Sequence, residues 1–106
     1  MDVRQLQYFL AVVDHGSVHR AAKELFVAQP SISQQIRSLE RELGVSLFAR
    51  TPQGLIPTMA GRAFLREAAV AVGASRRAKA AARNGASDMG GELVIASQMG
   101  LRARQL

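Results

Sequence analysis

The stretch SVHRAAKELFVAQPSISQQI, residues 17–36, decides the fold of this chain. Its first half predicts a short helix in which Ala21 and Ala22 form a small-residue face. A second helix is expected to begin at Pro30, because proline at the first helical position gives up no backbone hydrogen bond. A four-residue turn, residues 26–29, separates the two helices. Helices that are joined by so short a turn and can approach closely across the alanines make a helix-turn-helix.

The second of these helices, which is expected to end before Gly44, has an apolar face and a polar face. Its apolar residues recur every three or four positions and predict a buried side made of Ile32, Ile36, Leu39 and Leu43. The other side carries hydrogen-bonding residues without bulky groups: Ser31, Ser33, Gln34, Arg37, Ser38 and Arg41. Such a face suits insertion into the major groove of DNA, N-terminal end first. Arg37 and Glu40 are also spaced for an ion pair along the helix.

The segments on either side complete a winged helix. Before the stretch, apolar residues recur at helical spacing as far as Val13. Gly16 and Ser17 are the residue types that end one helix and cap the next. After the stretch, residues 47–50 and 55–56 predict two short strands that form the wing.

Residues 58–87 contain 11 alanines and no proline, which predicts one long helix capped by Thr58. Gly61 is expected to weaken this helix by about 1 kcal/mol relative to alanine. A domain this small is expected to leave the apolar stripe of so long a helix uncovered. The stripe therefore predicts dimerisation through four residues: Phe64, Leu65, Ala68 and Val72.

The formal charge of +6 is unevenly distributed along the chain. Residues 1–57 carry a net charge of +1, residues 58–87 carry +5, and residues 88–106 balance at zero. These zones match three expected parts, namely a winged helix, a linker helix, and a hinge followed by a buried-strand pattern at Leu93–Ala96. A basic chain suggests a polyanionic partner. Because only one net charge lies in the winged helix, the helix pattern and not the charge carries the expectation of DNA binding.

Several classes of function lack the residues they need. The absence of cysteine excludes a disulfide scaffold, a thiolate zinc site and a cysteine nucleophile. His15 and His19 are separated by a helix break at Gly16 and Ser17, so no metal site is expected there. The sequence lacks a catalytic triad, a phosphate-binding glycine loop and paired carboxylates. We therefore expect that these residues form neither an enzyme active site nor a cofactor site. No apolar run is long enough to span a membrane and the N-terminus lacks a signal-peptide core, which predicts a cytoplasmic protein.

Four segments, in this order and spacing, resemble the N-terminal region of LysR-type transcriptional regulators. They are SVHRAA at 17–22, QPSISQQIRSLE at 29–40, LGVSLFART at 43–51 and TMAG at 58–61. The resemblance covers about residues 1–95. It implies a mostly helical fold, a winged helix-turn-helix followed by a linker helix, in a bacterial regulator that binds double-stranded DNA as a homodimer, or as a tetramer when full length. It also implies that a small-molecule effector binds a C-terminal domain of which residues 88–106 hold only the hinge and the start.

The resemblance also implies roles for individual residues. At the start of the recognition helix, base edges would be contacted by Gln29, Pro30, Ser33 and Gln34. The DNA backbone would be approached by Ser31, Arg37, Ser38, Arg50 and Thr51. The wing tip would be formed by Pro52 and Gln53.

Three positions depart from the common family pattern. Ala28 stands where a hydroxyl residue is frequent, so one cap or phosphate contact is lost. Gln34 replaces a frequent arginine, and glutamine favours the adenine edge where arginine favours guanine. Pro52 and Gln53 lack the usual positive charge of the wing tip, so the wing is expected to add less electrostatic binding than in the family.

Two other interpretations remain open. The alanine-rich helix could pair with another regulator and make the chain a protein–protein interaction module with the winged helix as its scaffold. The unbulky polar face of the recognition helix favours DNA, because the cores of protein interfaces prefer aromatic residues. The basic helix could also lie on a membrane surface, although it has little of the Trp, Phe and Leu content of such anchors.

Overall fold

The computed structural model describes residues 1–88, which form four helices and one antiparallel hairpin. The helices are α1 (Val3–His15), α2 (Val18–Leu25), α3 (Gln29–Leu43) and α4 (Met59–Asp88). The hairpin pairs β1 (Phe48–Thr51) with β2 (Gly54–Pro57). The predicted winged helix-turn-helix followed by a long helix is confirmed. The strand expected at Leu93–Ala96 lies outside the described residues.

The ends of the first helices follow from local capping. The Asp2 carboxylate accepts a hydrogen bond of 2.8 Å from the Gln5 N–H and caps α1. Gly16 ends this helix in the left-handed region, at φ 70°, where glycine carries no steric penalty. The Ser17 hydroxyl accepts a 3.0 Å hydrogen bond from the Arg20 N–H and begins α2. The sequence predicted the cap at Ser17 and the helix end at Gly16.

The turn between α2 and α3 differs from the expected one by one residue. Helix α3 begins at Gln29 and not at Pro30, and its N-cap residue, Ala28, makes no side-chain hydrogen bond. Phe26 ends α2 with φ 58°, a left-handed conformation that is uncommon outside glycine, and 94% of its surface is exposed. Nothing in the sequence pattern indicated this conformation, because phenylalanine is not a residue type that favours it.

The core lies where α1, α2 and α3 meet the hairpin. Its largest fully buried side chains are Phe9, Val12, Ile32, Leu39 and Leu47. The Phe9 ring packs on Phe48 at a centroid distance of 5.2 Å and meets Phe64 edge-on at 5.0 Å, an arrangement favoured by aromatic quadrupoles. The expectation that Leu43 faces this core is wrong. Leu43 is 37% exposed because it lies in the last turn of α3, beyond the buried Leu39.

The first half of α4 packs on the winged helix itself. Ala68 and Val72 are each 2% exposed within the core, and Phe64 and Leu65 are partly buried against it. This corrects the expectation that the apolar stripe is left for a second copy of the helix. Phe64 packs edge-on against Phe9 of α1, and Ala68 and Val72 are themselves buried, so these two residues have almost no exposed surface for a partner.

Gly61 permits this packing of α4. The Thr58 hydroxyl caps the helix by accepting from the Gly61 N–H at 2.9 Å, as its residue type predicted. The Thr58 N–H donates to the Leu47 carbonyl at 3.0 Å, and a Cβ on Gly61 would lie only 2.1 Å from that same oxygen. The expected role of Gly61 as a weak point of the helix is therefore wrong. Glycine is the residue that lets the helix reach the hairpin.

Contacts along the chain group Met1–Gly73 into one compact unit, which holds the winged helix and the first half of α4. The remaining described part of α4 belongs to a second unit and exposes its basic residues, Arg76, Arg77, Lys79 and Arg83. None of the helices in residues 1–88 is both long and apolar enough to cross a membrane.

Glu40 connects α3 to the wing. Its carboxylate accepts a hydrogen bond of 2.7 Å from the Leu47 N–H, immediately before β1. Within residues 1–88 it forms no ion pair with Arg37, so the expected pair along the helix is not present. The tertiary hydrogen bond takes its place because the chain after Gly44 brings the unpaired N–H of Leu47 back to α3.

Replacing Glu40 with alanine is expected to lower the free energy of unfolding by about 2 kcal/mol, because a charged acceptor is lost and the part-buried Leu47 N–H stays unsatisfied. Chemical denaturation followed by circular dichroism measures this change. Glu40→Gln, which keeps an acceptor oxygen, should lose about half as much. Glu24→Ala, at an exposed position of α2, is the matched control. Equal stabilities of Glu40→Ala and Glu24→Ala would contradict the role of Glu40.

Candidate nucleic-acid interface

The N-terminal half of α3 presents a polar surface. Gln29, Pro30 and Gln34 are exposed, and Ser31 and Ser33 are half-buried. Ile32 and Ile36 anchor the opposite side of the helix in the core. Side chains at this end of α3 can therefore reach another molecule without disturbing the packing of the domain.

Two contacts outside the predicted site fix α3 against α1. The buried Gln5 amide donates to the Gln35 side-chain oxygen at 2.9 Å. The N-terminal ammonium of Met1 lies 2.9 Å from a carboxylate oxygen of Glu42. Sequence periodicity missed these contacts, because a polar residue at a core-facing position such as Gln5 gives no signal of its partner. Their effect is to set the direction in which the polar face of α3 points.

A concave surface, here called the α3–wing cleft, lies between the start of α2, α3 and the hairpin. It consists of two adjoining hollows of about 260 Å³ and 220 Å³ that share Val18, Arg50 and Leu55. Its polar lining brings together Gln29, Ser33, Arg37 and Arg50, and Glu40 and Ser46 also line the first hollow. Three of the predicted base or backbone residues on α3 thus meet the predicted wing residue Arg50.

The α3–wing cleft also contains residues that the sequence did not single out as a site. Ser17, Val18 and His19, at the start of α2, line its second hollow beside Gln29. The sequence predicted a helix cap at Ser17 and a small-residue face at Ala21 and Ala22, but no periodicity or composition signal placed the start of α2 beside the N-terminal end of α3. The helix-turn-helix prediction could have indicated it, because α2 is the helix that packs against α3 in such a unit.

The hairpin is held in place by its own hydrogen bonds. The Leu55 N–H donates to the Gly16 carbonyl at 3.0 Å, which ties the wing to the junction of α1 and α2. Gly54 has φ 117° and its missing Cβ would lie 2.6 Å from the Gly16 oxygen, so only glycine fits there. The Thr51 hydroxyl donates to the Gly54 carbonyl at 2.8 Å and accepts from the Gln53 N–H at 3.2 Å. The hydroxyl of Thr51 is thus used to shape the wing.

Several predicted site residues lie outside the α3–wing cleft. Pro52 and Gln53 occupy the exposed tip of the hairpin, where the sequence placed them. Gln34 and Pro30 project from the exposed side of α3, one turn apart. Ser31 and Ser38 are half-buried and do not line either hollow.

The α3–wing cleft carries two positive side chains, Arg37 and Arg50, and one negative one, Glu40, whose carboxylate accepts a hydrogen bond from the Leu47 N–H. Arg37 and Arg50 are exposed, and among residues 1–88 no carboxylate forms a salt bridge with either. The same residues contain no cluster of three or more side chains able to hold a metal ion. The surface offers amide and hydroxyl groups that can hydrogen-bond base edges, and guanidinium groups that can neutralise phosphates.

Comparison with known proteins agrees with this geometry. The family described as "Bacterial regulatory helix-turn-helix protein, lysR family" matches residues 3–62. The HTH-type transcriptional regulator TfdT of Cupriavidus pinatubonensis is 41% identical over 93 residues, covering 84% of this chain. The chain spans only 41% of the length of that relative.

Solved structures show the same fold. The structure of the CbnR_DBD-DNA complex superposes with a TM-score of 0.75 at 42% identity, covering 81% of this chain and 99% of the other. The BenM_DBD/catB site 1 DNA complex superposes with a TM-score of 0.79 at 36% identity, covering 82% and 98% of the two chains. Together with the family match, these similarities show that this chain belongs to the LysR family of bacterial regulatory helix-turn-helix proteins.

Proposed function

We propose that residues 1–88 form the sequence-specific DNA-binding module of a LysR-type transcriptional regulator, which inserts the N-terminal half of α3 into the major groove of double-stranded DNA. The observation that carries the proposal is the exposed polar start of α3 beside Arg37 and Arg50 in one concave surface. The two related DNA-binding domains named above were solved as DNA complexes, which supports the same use of this surface.

Each part of the surface has a task in this proposal. Base edges are contacted by the residues at the N-terminal end of α3: Gln29, Pro30, Ser33 and Gln34. Phosphates on either side of the groove are neutralised by Arg37 and Arg50, with Ser31 and Ser38 adding hydrogen bonds to the backbone. Phosphate contacts supply affinity and position the helix, and the base contacts supply the discrimination. Thr51 contributes by shaping the wing, and Pro52 and Gln53 bring its tip toward the DNA without charge.

Selection of bound duplexes from a random pool tests this function directly, followed by fluorescence anisotropy of the selected duplex at two salt concentrations. The expected result is a short enriched sequence, bound more tightly than random duplex, with an affinity that falls as salt rises. Equal binding to selected and random duplexes would contradict sequence-specific recognition. Absence of any salt-sensitive binding would instead favour the interaction-module interpretation.

We further propose that the module acts as a homodimer through the outward side of α4. Met59, Ala63, Arg66 and Val70 follow one another at helical spacing opposite the buried Ala68 and Val72. Met59 and Val70 are 82% and 60% exposed, which is unusual for large apolar residues unless a partner covers them. Pairing would place two copies of α3 on one face of the duplex, about one helical turn or a multiple apart.

Replacing Val70 with glutamate is expected to weaken dimerisation at least tenfold, because the new carboxylate would lose its water on burial between the two α4 helices. Sedimentation equilibrium measures the dissociation constant. Val3→Glu, at a 37% exposed position of α1, adds the same charge outside α4 and should leave the dimer unchanged. The outward face of α4 is not the dimer interface if both variants dimerise as the unchanged protein does.

The remaining proposals concern the effector, the cofactor, the location and the tetramer. Because the relatives are transcriptional regulators and the chain spans a minor part of TfdT, we propose that any small-molecule effector binds residues beyond this module. We propose no cofactor and no catalytic group for residues 1–88, and a cytoplasmic, nucleoid-associated location. Tetramers would form only in the longer protein.

A further inference from the structure

A second concave surface, here called the α3 C-terminal hollow, lies at the other end of the recognition helix. It has a volume of about 370 Å³ and is lined by Arg37, Glu40 and Arg41 on α3 and by Gly44, Val45 and Ser46 in the loop before β1. Arg37, Glu40 and Ser46 also line the α3–wing cleft, so the two concave surfaces adjoin along these three residues. Arg41 takes no part in the DNA contacts proposed for the α3–wing cleft.

The two arginines are free to bind an anion. Arg37 and Arg41 lie one helical turn apart on the same side of α3, and both are exposed. Neither forms a salt bridge with a carboxylate anywhere in residues 1–88. The one acid in the hollow, Glu40, faces the Leu47 N–H and accepts its hydrogen bond at 2.7 Å. The hollow therefore has two free positive charges against one engaged negative charge.

The loop adds backbone donors. Gly44 takes a left-handed conformation at φ 73° and its N–H donates to the Glu40 carbonyl. The next N–H groups, of Val45 and Ser46, have no acceptor within the described part of the chain, while that of Leu47 is held by Glu40. Val45 and Ser46 both line the hollow, so their N–H groups remain available to donate to a bound ligand.

We propose that the α3 C-terminal hollow is a second phosphate-binding site of this module, in which Arg41, next to the groove phosphate that Arg37 neutralises, holds a further phosphodiester of the DNA backbone beyond the groove that α3 enters. The inference rests on the proposed function, because the phosphate belongs to the duplex that the α3–wing cleft contacts. DNA is favoured over an acidic protein partner because Arg37 joins the two surfaces, so one strand can follow both.

The salt dependence of DNA binding tests the site. Each phosphate neutralised on duplex DNA contributes about 0.9 to the slope of log K against log salt. Arg41→Ala is expected to reduce that slope by about 0.9 on the selected duplex and on random duplex alike. Arg41→Lys should keep the slope, because the positive charge remains. Arg83→Ala removes the same charge from the far part of α4 and should keep the slope as well.

A second measurement localises the phosphate. Duplexes with single methylphosphonate substitutions remove one backbone charge at a time, and the penalty of Arg41→Ala should vanish at one position only. Slopes that are equal for the unchanged protein, Arg41→Ala and Arg83→Ala would overturn the proposal while leaving the proposed function intact. Loss of an acidic partner protein by Arg41→Ala, with an unchanged slope, would assign the hollow to that partner. If the unchanged protein binds no duplex, the proposed function itself fails.

Discussion

Replacing Gly61 with alanine is expected to lower the free energy of unfolding by about 3 kcal/mol, although alanine is the better helix former. The added Cβ would lie 2.1 Å from the Leu47 carbonyl oxygen and 3.1 Å from its carbon. The oxygen cannot retreat freely, because it accepts the 3.0 Å hydrogen bond from the Thr58 N–H that begins α4. Relief of the clash would therefore break that hydrogen bond or lift the first turn of α4 off the hairpin.

Thermal unfolding followed by circular dichroism measures this effect. For a domain of this size, about 3 kcal/mol corresponds to a fall in Tm of about 12–24 °C. Gly85→Ala is the matched control, because a Cβ at Gly85 has no atom within 4 Å and should leave Tm unchanged or slightly raised. A Tm of Gly61→Ala equal to or above that of the unchanged protein would show that α4 does not approach Leu47 so closely.

Gly61 and Glu40 show which kind of contact the sequence could not predict. Helix periodicity and capping chemistry are local, so the residues themselves predicted the end of α1 at Gly16, the cap at Ser17 and the long helix after Thr58. The contacts of Gly61 with Leu47, and of Glu40 with Leu47, join segments that are distant in sequence. Such contacts leave no periodic signal. Helix propensity assigned Gly61 a different role, and the spacing of Glu40 from Arg37 assigned Glu40 a different partner.

The packing of α4 and the α3–wing cleft also combine locally predictable features with contacts between segments that are distant in sequence. A single-helix argument identified the stripe of Phe64 and Val72, but its burial in the core, including the contact of Phe64 with Phe9 on α1, could be known only from the assembled fold. The polar face of α3 was predictable, since it follows from the spacing of Ile32, Ile36 and Leu39. The concave surface that gathers Arg50 beside that face depends on how the hairpin folds back.

Replacing Gln34 is expected to change which base pair the module prefers. Gln34 projects from the exposed, polar side of α3 one turn after Pro30. A glutamine amide can form two hydrogen bonds with the N6 and N7 groups of adenine, whereas arginine pairs with O6 and N7 of guanine. Gln34→Ala should lose about 1–3 kcal/mol of discrimination at one base pair, and Gln34→Arg should shift the preference there toward G·C.

Competitive anisotropy against the four duplexes that differ at this base pair, together with a repeated selection, measures both changes. Gln34→Ala should leave the salt slope unchanged, because it removes no charge. Loss of a phosphate contact would instead reduce that slope. Gln7→Ala removes the same side chain from the exposed face of α1 and serves as the control. If Gln34→Ala weakens binding equally on all four duplexes, Gln34 contacts the backbone and the discrimination must come from Gln29 and Ser33. If Gln34→Arg keeps the original base preference, the side chain at this position does not reach the base edge, and α3 enters the groove with a different side facing the bases.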